Sequence, residues 1–271
     1  METGATEPEM TGLAGHLLLQ WDGVRLQWLV GTGRVVHNFG ESPAKDPKEL
    51  EFVCRELHGK GLTADQVVWS QRFPSFSLWP AVLVGEDAEA AFRLEHNGQD
   101  AGGVKKVLTS SLGEEMFVIE PGLTGVEALF VSVWPQARRV SSIIAFLEAA
   151  IRQDAALGAS SICIDVGQRR ALMLQTKGKS LKLAQIMPFT DPEGLLYHVV
   201  NALHRNGLEP ATCGAVVRWS GEIQKDGTRW KLFSRFFPEM EILSGFRAMD
   251  WGEHEVRRER WTSLTNLTAC V

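Results

Sequence analysis

Two short motifs hold the residue types best suited to chemistry: Asp22-Gly23 in the front half and Asp165-Val166-Gly167 in the back half. An acid beside glycine suits phosphate and metal, because backbone amides approach a phosphate only where side chains are minimal. The same residues also make plain hairpin turns, through side-chain hydrogen bonding by aspartate and positive φ at glycine. Both readings stand at this level. Gln168, Arg169 and Arg170 follow Gly167 and predict crowding at any phosphate held there.

Other motifs are weaker. Gly178-Lys179-Ser180 has the ending of a phosphate-binding P-loop, but position 173, where its first glycine belongs, is Met173. Gly31-Thr32-Gly33 fails the dinucleotide fingerprint because position 36 is Val36. Neither Ser220 nor Ser244 has the leading glycine of a nucleophile elbow. The seven histidines show no His-x-x-x-His pairing, and Cys54, Cys163, Cys213 and Cys270 form no Cys-x-x-Cys pair, so no metal site is expected.

The elements that must position the two motifs repeat in order. In front, His16 to Trp21, Val24 to Val30 and Arg34 to Phe39 read as three antiparallel strands, with Val24, Leu26, Trp28 and Val30 alternating at strand period. A helix follows from Asp46-Pro47, with an N-capping acid, proline at the first position, and Leu50, Val53, Cys54 and Leu57 on one face. Behind, Ser161 to Ile164, Arg170 to Thr176 and Leu181 to Met187 precede a helix opened by Asp191-Pro192 and closed by Asn206-Gly207. Buried strands over 65–70 and 215–220 come next in the respective halves. Asp22 to Asp46 spans 24 residues and Asp165 to Asp191 spans 26, which points to an internal duplication.

Between the repeats the pattern predicts a helix over Glu86 to His96, matched by Thr228 to Phe236. It also predicts strands over Met116 to Glu120 and Ala128 to Trp134, and a helix from Ser141 to Leu157 ended by Gly158. The resulting division is a tail over 1–12, units over 13–137 and 138–250, and a C-terminal tail over 251–271. Arg257, Arg258 and Arg260, set among Glu253, Glu255 and Glu259, read as a solvated helix face. Nine tryptophans against one tyrosine suit a core, with Trp230 and Trp251 the candidates for an exposed partner-binding patch.

At 271 residues and a net charge of −5, the chain has no general basic footprint for nucleic acid or an anionic membrane. Apolar content of 44% fits a folded globular protein. Unpaired cysteines in apolar runs suit a reducing cytoplasm. The first residues lack the pattern of a signal peptide, and no apolar run is long enough for a membrane span.

Three antiparallel strands, a helix and a further strand open a ribonuclease-H-like unit, and two such units resemble the actin and hexokinase architecture. The extended pattern is Leu183-Ala184-Gln185-Ile186-Met187-Pro188-Phe189, the helix from Asp191 to Leu203, and Trp219-Ser220-Gly221-Glu222-Ile223. On these motifs the chain resembles a bacterial family of actin-like ATPase fold with no established activity, from about Gly15 to Phe246. Met187-Pro188-Phe189 departs from that family's Asn-Ser-Phe corner. The resemblance implies an α/β fold of two ribonuclease-H-like units, with mixed sheets and helices on their faces.

If the chain is active, the resemblance makes Asp22 and Asp165 catalytic beside ATP and magnesium. Gly23, Gly167 and Gly221 would then line the cofactor, Gly221 next to the adenosine. The incomplete glycine pattern favours a different expectation: no cofactor, no catalysis, and a cytoplasmic scaffold for an unidentified protein partner. Assembly-platform proteins of secretion and pilus systems use the fold in that way. The alternative is an active ATP-dependent phosphotransferase or ATPase working in the cleft between units. A ribonuclease-H-type nuclease fits less well, because its two metals need clustered acids and these two lie in separate units.

Overall fold

The computed structural model describes residues 15–80, 93, 101–107, 116–158, 160–177, 180–210, 215–246 and 248–270. The predicted helix over 86–96 lies outside them except for Arg93. The first sheet holds β1 (His16–Trp21), β2 (Arg25–Thr32), β3 (Val35–Pro43), β4 (Gln66–Gln71) and β8 (Ala137–Arg139), in the order β3-β2-β1-β4-β8. The second holds β9 (Ser160–Val166), β10 (Arg170–Lys177), β11 (Ser180–Pro188), β12 (Val216–Gly221) and β13 (Met240–Ile242), in the order β11-β10-β9-β12-β13. The two orders are the same once renumbered. Each sheet is mixed: two antiparallel hairpin strands lie on one side, and the remaining strands run parallel to its first strand. A small antiparallel sheet, β5 (Ser77–Pro80), β7 (Met116–Pro121) and β6 (Ala101–Val107), is inserted in the first unit.

Helices cover the faces for reasons visible in their residues. On α1 (Pro47–Gly59), Leu50, Val53, Cys54 and Leu57 are buried, and Asp46 accepts the Lys48 and Glu49 amides as its N-cap. With α2 (Thr124–Val133), α1 packs on one face of the first sheet around Leu17, Leu19, Val67 and Trp69. The strand expected over 128–134 is therefore helical. Val126, Phe130 and Val133 recur at helical spacing onto the sheet, and the Phe130 ring stacks on Trp69 at 4.6 Å. α4 (Pro192–Arg205) and the short α5 (Thr228–Phe233) cover the equivalent face of the second sheet, burying Leu195, Val199, Leu203 and Phe233. α5 stops three residues earlier than expected.

The other two faces join the molecule. α3 (Ser142–Leu157) carries Ile143, Phe146, Leu147 and Ala150 against Cys163, Leu172 and Leu174 of the second sheet, while Ala145 belongs to the cluster of the first. The segment expected as a C-terminal tail is instead core. Met249, Trp251, Trp261, Leu264 and Leu267 fill the remaining face of the first sheet against Leu18, Leu29, Phe39 and Val68. Asp250 also exchanges backbone hydrogen bonds with the start of β3 and the residue before it, accepting from Val36 and donating to Arg34. Trp251, expected to be exposed, is buried edge-on against Phe39, and Trp230 is half-buried. The four of these apolar side chains beyond residue 250 explain why this segment leaves solvent despite its charges.

Candidate functional site

The parallel strands of both sheets end toward one another, and the crevice outside such carboxyl ends is where open α/β sheets hold ligands. Asp22 follows β1, Gln71 ends β4 and Arg72 follows it, Asp165 is the penultimate residue of β9 with Gly167 just beyond the strand, and Gly221 ends β12. Register corrects one pairing. Asp165 sits opposite Ser220, whereas in the first sheet Gln20, not Asp22, sits opposite Ser70. The side chains repeat the correspondence: Ser220 Oγ donates to Asp165 Oδ1 at 2.9 Å, and Gln20 Nε2 donates to Ser70 Oγ at 3.1 Å. The two sheets thus carry an acid and an amide at equivalent places, and Asp22 lies two residues farther along.

Asp22 is a turn-maker. Its Oδ1 accepts the amides of Val24 and Arg25 at 2.9 and 2.8 Å, which lets Gly23 take φ +86. Asp165 is occupied differently: Arg72, reaching across from the first unit, donates from Nη2 to Oδ1 at 2.8 Å and from Nε to Oδ2 at 3.1 Å. The two side chains are 2% and 1% exposed, so this is a bidentate, desolvated pair. Burial works against the Arg72 charge, yet Asp165, with Asp22 and Glu222 nearby, holds its pKa above the ordinary value.

Phe73 completes the closure. Its backbone is left-handed at φ 55, its carbonyl accepts from Arg170 Nη1 at 3.2 Å, and the Arg72 guanidinium lies 4.7 Å from its ring centroid. The ring rests on Gly167 so closely that a side chain there would overlap it. Gly221, at φ +83, is pressed against the Val166 carbonyl; an added Cβ would overlap that carbonyl and lie 2.8 Å from Arg72 Nη2 and 2.9 Å from Asp165 Oδ1. Crowding of the phosphate turn therefore comes from Arg72 and Phe73 of the opposite unit. Gln168, Arg169 and Arg170, expected to do it, are exposed.

A second layer of charge seals the rim. Arg25 pairs with Asp22, Glu41 and Glu222, and Arg260 donates to Glu41 Oε1 at 2.9 Å and to Glu222 Oε1 at 3.1 Å. Burial would raise the Glu222 carboxyl, but Arg25, Arg260 and Arg72 together hold it below its ordinary value. Arg257 donates to the Ile223 carbonyl at 2.6 Å. The basic cluster expected to be a solvated face is thus partly a clamp between the units, with Arg260 half-buried among acids. A cavity of about 280 Å³ opens beyond Gly221, lined by Pro192, Glu222, Ile223, Thr228, Arg229 and Arg257, and neither Asp22 nor Asp165 reaches it.

An ATP–magnesium group at these turns would require a free Asp165 carboxylate and open space over Gly167; the residues present do not fit it. Among the described residues no group of three or more His, Cys, Asp or Glu side chains is placed to hold a metal ion. Arg72 and Phe73 were the residues that sequence reasoning missed. Their only signal was an arginine and an aromatic directly after a buried strand, in a stretch with no periodic pattern.

No protein-family model matches the sequence, and no curated protein is similar to it at a significant level. Solved structures are similar. A Bacteroides thetaiotaomicron protein with actin-like ATPase fold and unknown function matches with a TM-score of 0.74 at 12% identity, over 98% of this chain and 100% of that one. A chain of the PilM–PilN type IV pilus biogenesis complex matches with a TM-score of 0.68 at 12% identity, over 94% and 98%. These likenesses, with the two sheets of equal strand order, give the chain an actin-like ATPase fold.

Proposed function

We propose that this actin-like fold serves as a non-catalytic protein-binding or scaffold module whose inter-unit cleft is filled by its own side chains. One observation carries the reading: Arg72 neutralises Asp165 while Phe73 covers Gly167, so the second unit's candidate phosphate turn already has its cation and its lid. Displacing them would expose a buried carboxylate and give up a bidentate pair, a cost that a bound phosphate would have to offset. A fold kept intact around such a closed cleft offers its outer surfaces for binding. The pilus complex, in which a protein of this fold is part of an assembly, supports that use by analogy of fold.

On the same reading the shared strand order reflects duplication of one unit, with 13–137 and 138–250 as its copies. The thiols fit a reducing cytoplasm: burial pushes Cys54 up to about 12 and Cys163 up to about 11, leaving both unreactive at neutral pH. No helix among the described residues is long and apolar enough to cross a membrane.

Isothermal titration with ATP, ADP and magnesium tests the proposal. The expected result is no heat of binding up to millimolar nucleotide. Micromolar binding accompanied by hydrolysis, lost in Asp165→Asn, would instead establish the phosphotransferase or ATPase reading.

A further inference from the structure

The outer edges of the two sheets are built alike but finished differently. In an antiparallel ladder, residues bonded to the neighbouring strand alternate with residues whose N–H and C=O point away from it. Phe189 donates to the Arg169 carbonyl, so the pairs Ala171–Met187 and Met173–Gln185 are the bonded ones, and the backbone groups of Ala184 and Ile186 point outward from β11. By the same rule, with Ala44 donating to the Val24 carbonyl, the outward residues of β3 are Phe39 and Glu41.

The β3 edge is blunted. Asn38 Oδ1 accepts the Phe39 amide at 2.9 Å, Asp250 pairs with the start of the strand, and Glu41 places a carboxylate on its line. On β11 such features, Lys182 and Pro188, stand only at the two ends of the central stretch: among the described residues the amides of Ala184 and Ile186 have no acceptor. The stretch from Leu183 to Ile186 is only partly buried and carries no charge. An unpaired, uncharged edge of this kind is a template for another strand.

We propose that β11 pairs antiparallel with β11 of a second copy of this chain, across a twofold axis at Gln185, joining two five-stranded sheets into one of ten. The register itself argues for a copy as occupant. Twofold pairing at Gln185 sets Ala184 opposite Ile186 of the second copy in bonded pairs, so the four outward donors find four outward acceptors. Leu183 then lies opposite Met187, whose side chain is held in its own core, and the two Gln185 amides meet on the axis, where each can donate to the other. Lys182, the one charged residue of the strand, faces Pro188 rather than another lysine. Pro188 and the irregularity between Gln175 and Thr176 bound the paired stretch at either end. The contact is isologous and uses the free edge of each copy, so it closes at a dimer.

Light scattering across a concentration series, combined with residue-resolved amide hydrogen exchange, tests this. The expected mass rises toward twice 30.0 kDa, and exchange at Ala184 and Ile186 slows about tenfold or more as the dimer forms. Leu183 and Gln185, already bonded to β10, should change little. Ala184→Pro removes an outward donor and no internal hydrogen bond, so it should stay monomeric with an unchanged circular dichroism spectrum. If that variant misfolds, exchange on the unaltered chain decides. A monomer at every concentration, a dimer in which Ala184 and Ile186 stay unprotected, a dimer that survives in a folded Ala184→Pro, or protection arising only when a different protein is added would each overturn the proposal.

Discussion

Arg72 and Asp165 face each other almost without solvent, so removing one strands the other. Arg72→Ala should lower unfolding stability by about 3–5 kcal/mol in urea titration, because the Asp165 carboxylate is left buried and unpaired. The double variant Arg72→Met with Asp165→Asn should recover most of that loss, since no buried charge remains. Equal destabilisation in both would show that packing, not charge pairing, sets the cost. Glu222 adds a pH dependence of known sign. Its folded pKa lies below the unfolded value of 4.5, so its contribution is complete above that value and disappears as pH falls through the folded value. Glu222→Gln should therefore flatten the fall in melting temperature below pH 4.5, and a parallel acid profile would count against the clamp. At this scale the sequence was only half legible. Asp165, Gly167 and Gly221 were recognisable as special from their turn chemistry. Arg72 and Phe73 were not, because they act on residues 93 and 94 positions away and no local pattern records such a contact.

Elements were read better than contacts, because their signals are local. The Asp-Pro starts at Asp46 and Asp191 and the alternation in β2 each follow from a few neighbouring residues, and the structure places helices and strands where they point. The failure over 128–134 has a physical cause: Leu129, Phe130, Val131 and Val133 are apolar without strict alternation, and such a run fits a buried strand as well as a helix. The strand ends invite a paired test of glycine. Gly23→Ala meets open space and only a left-handed backbone, so it should cost about 1 kcal/mol. Gly221→Ala adds overlap with the Val166 carbonyl and the Arg72–Asp165 pair, and should cost several times more in the same denaturant titration. Similar losses would mean that the β12 end relaxes freely and does not hold the cleft shut.

For the whole molecule, packing and ion pairs couple the two sheets. α3 packs against the second sheet and touches the cluster of the first, residues 249–267 complete the first sheet, and Arg72, Arg25 and Arg260 tie strand ends across the junction. Calorimetry should accordingly show one cooperative transition with equal calorimetric and van't Hoff enthalpies. Two separated transitions would mean that the units stand independently. The sequence disclosed the repeated order of elements but hid this coupling. The charges of the segment from Trp251 onward masked its four buried apolar side chains, and burial depends on a sheet face about two hundred positions away. That distance has a consequence for biosynthesis. Strands β1 to β3 leave the ribosome well before the Trp251, Trp261, Leu264 and Leu267 side chains that cover one of their faces. The first unit must wait through translation with an apolar face uncovered, an interval in which a nascent-chain chaperone would find its binding surface.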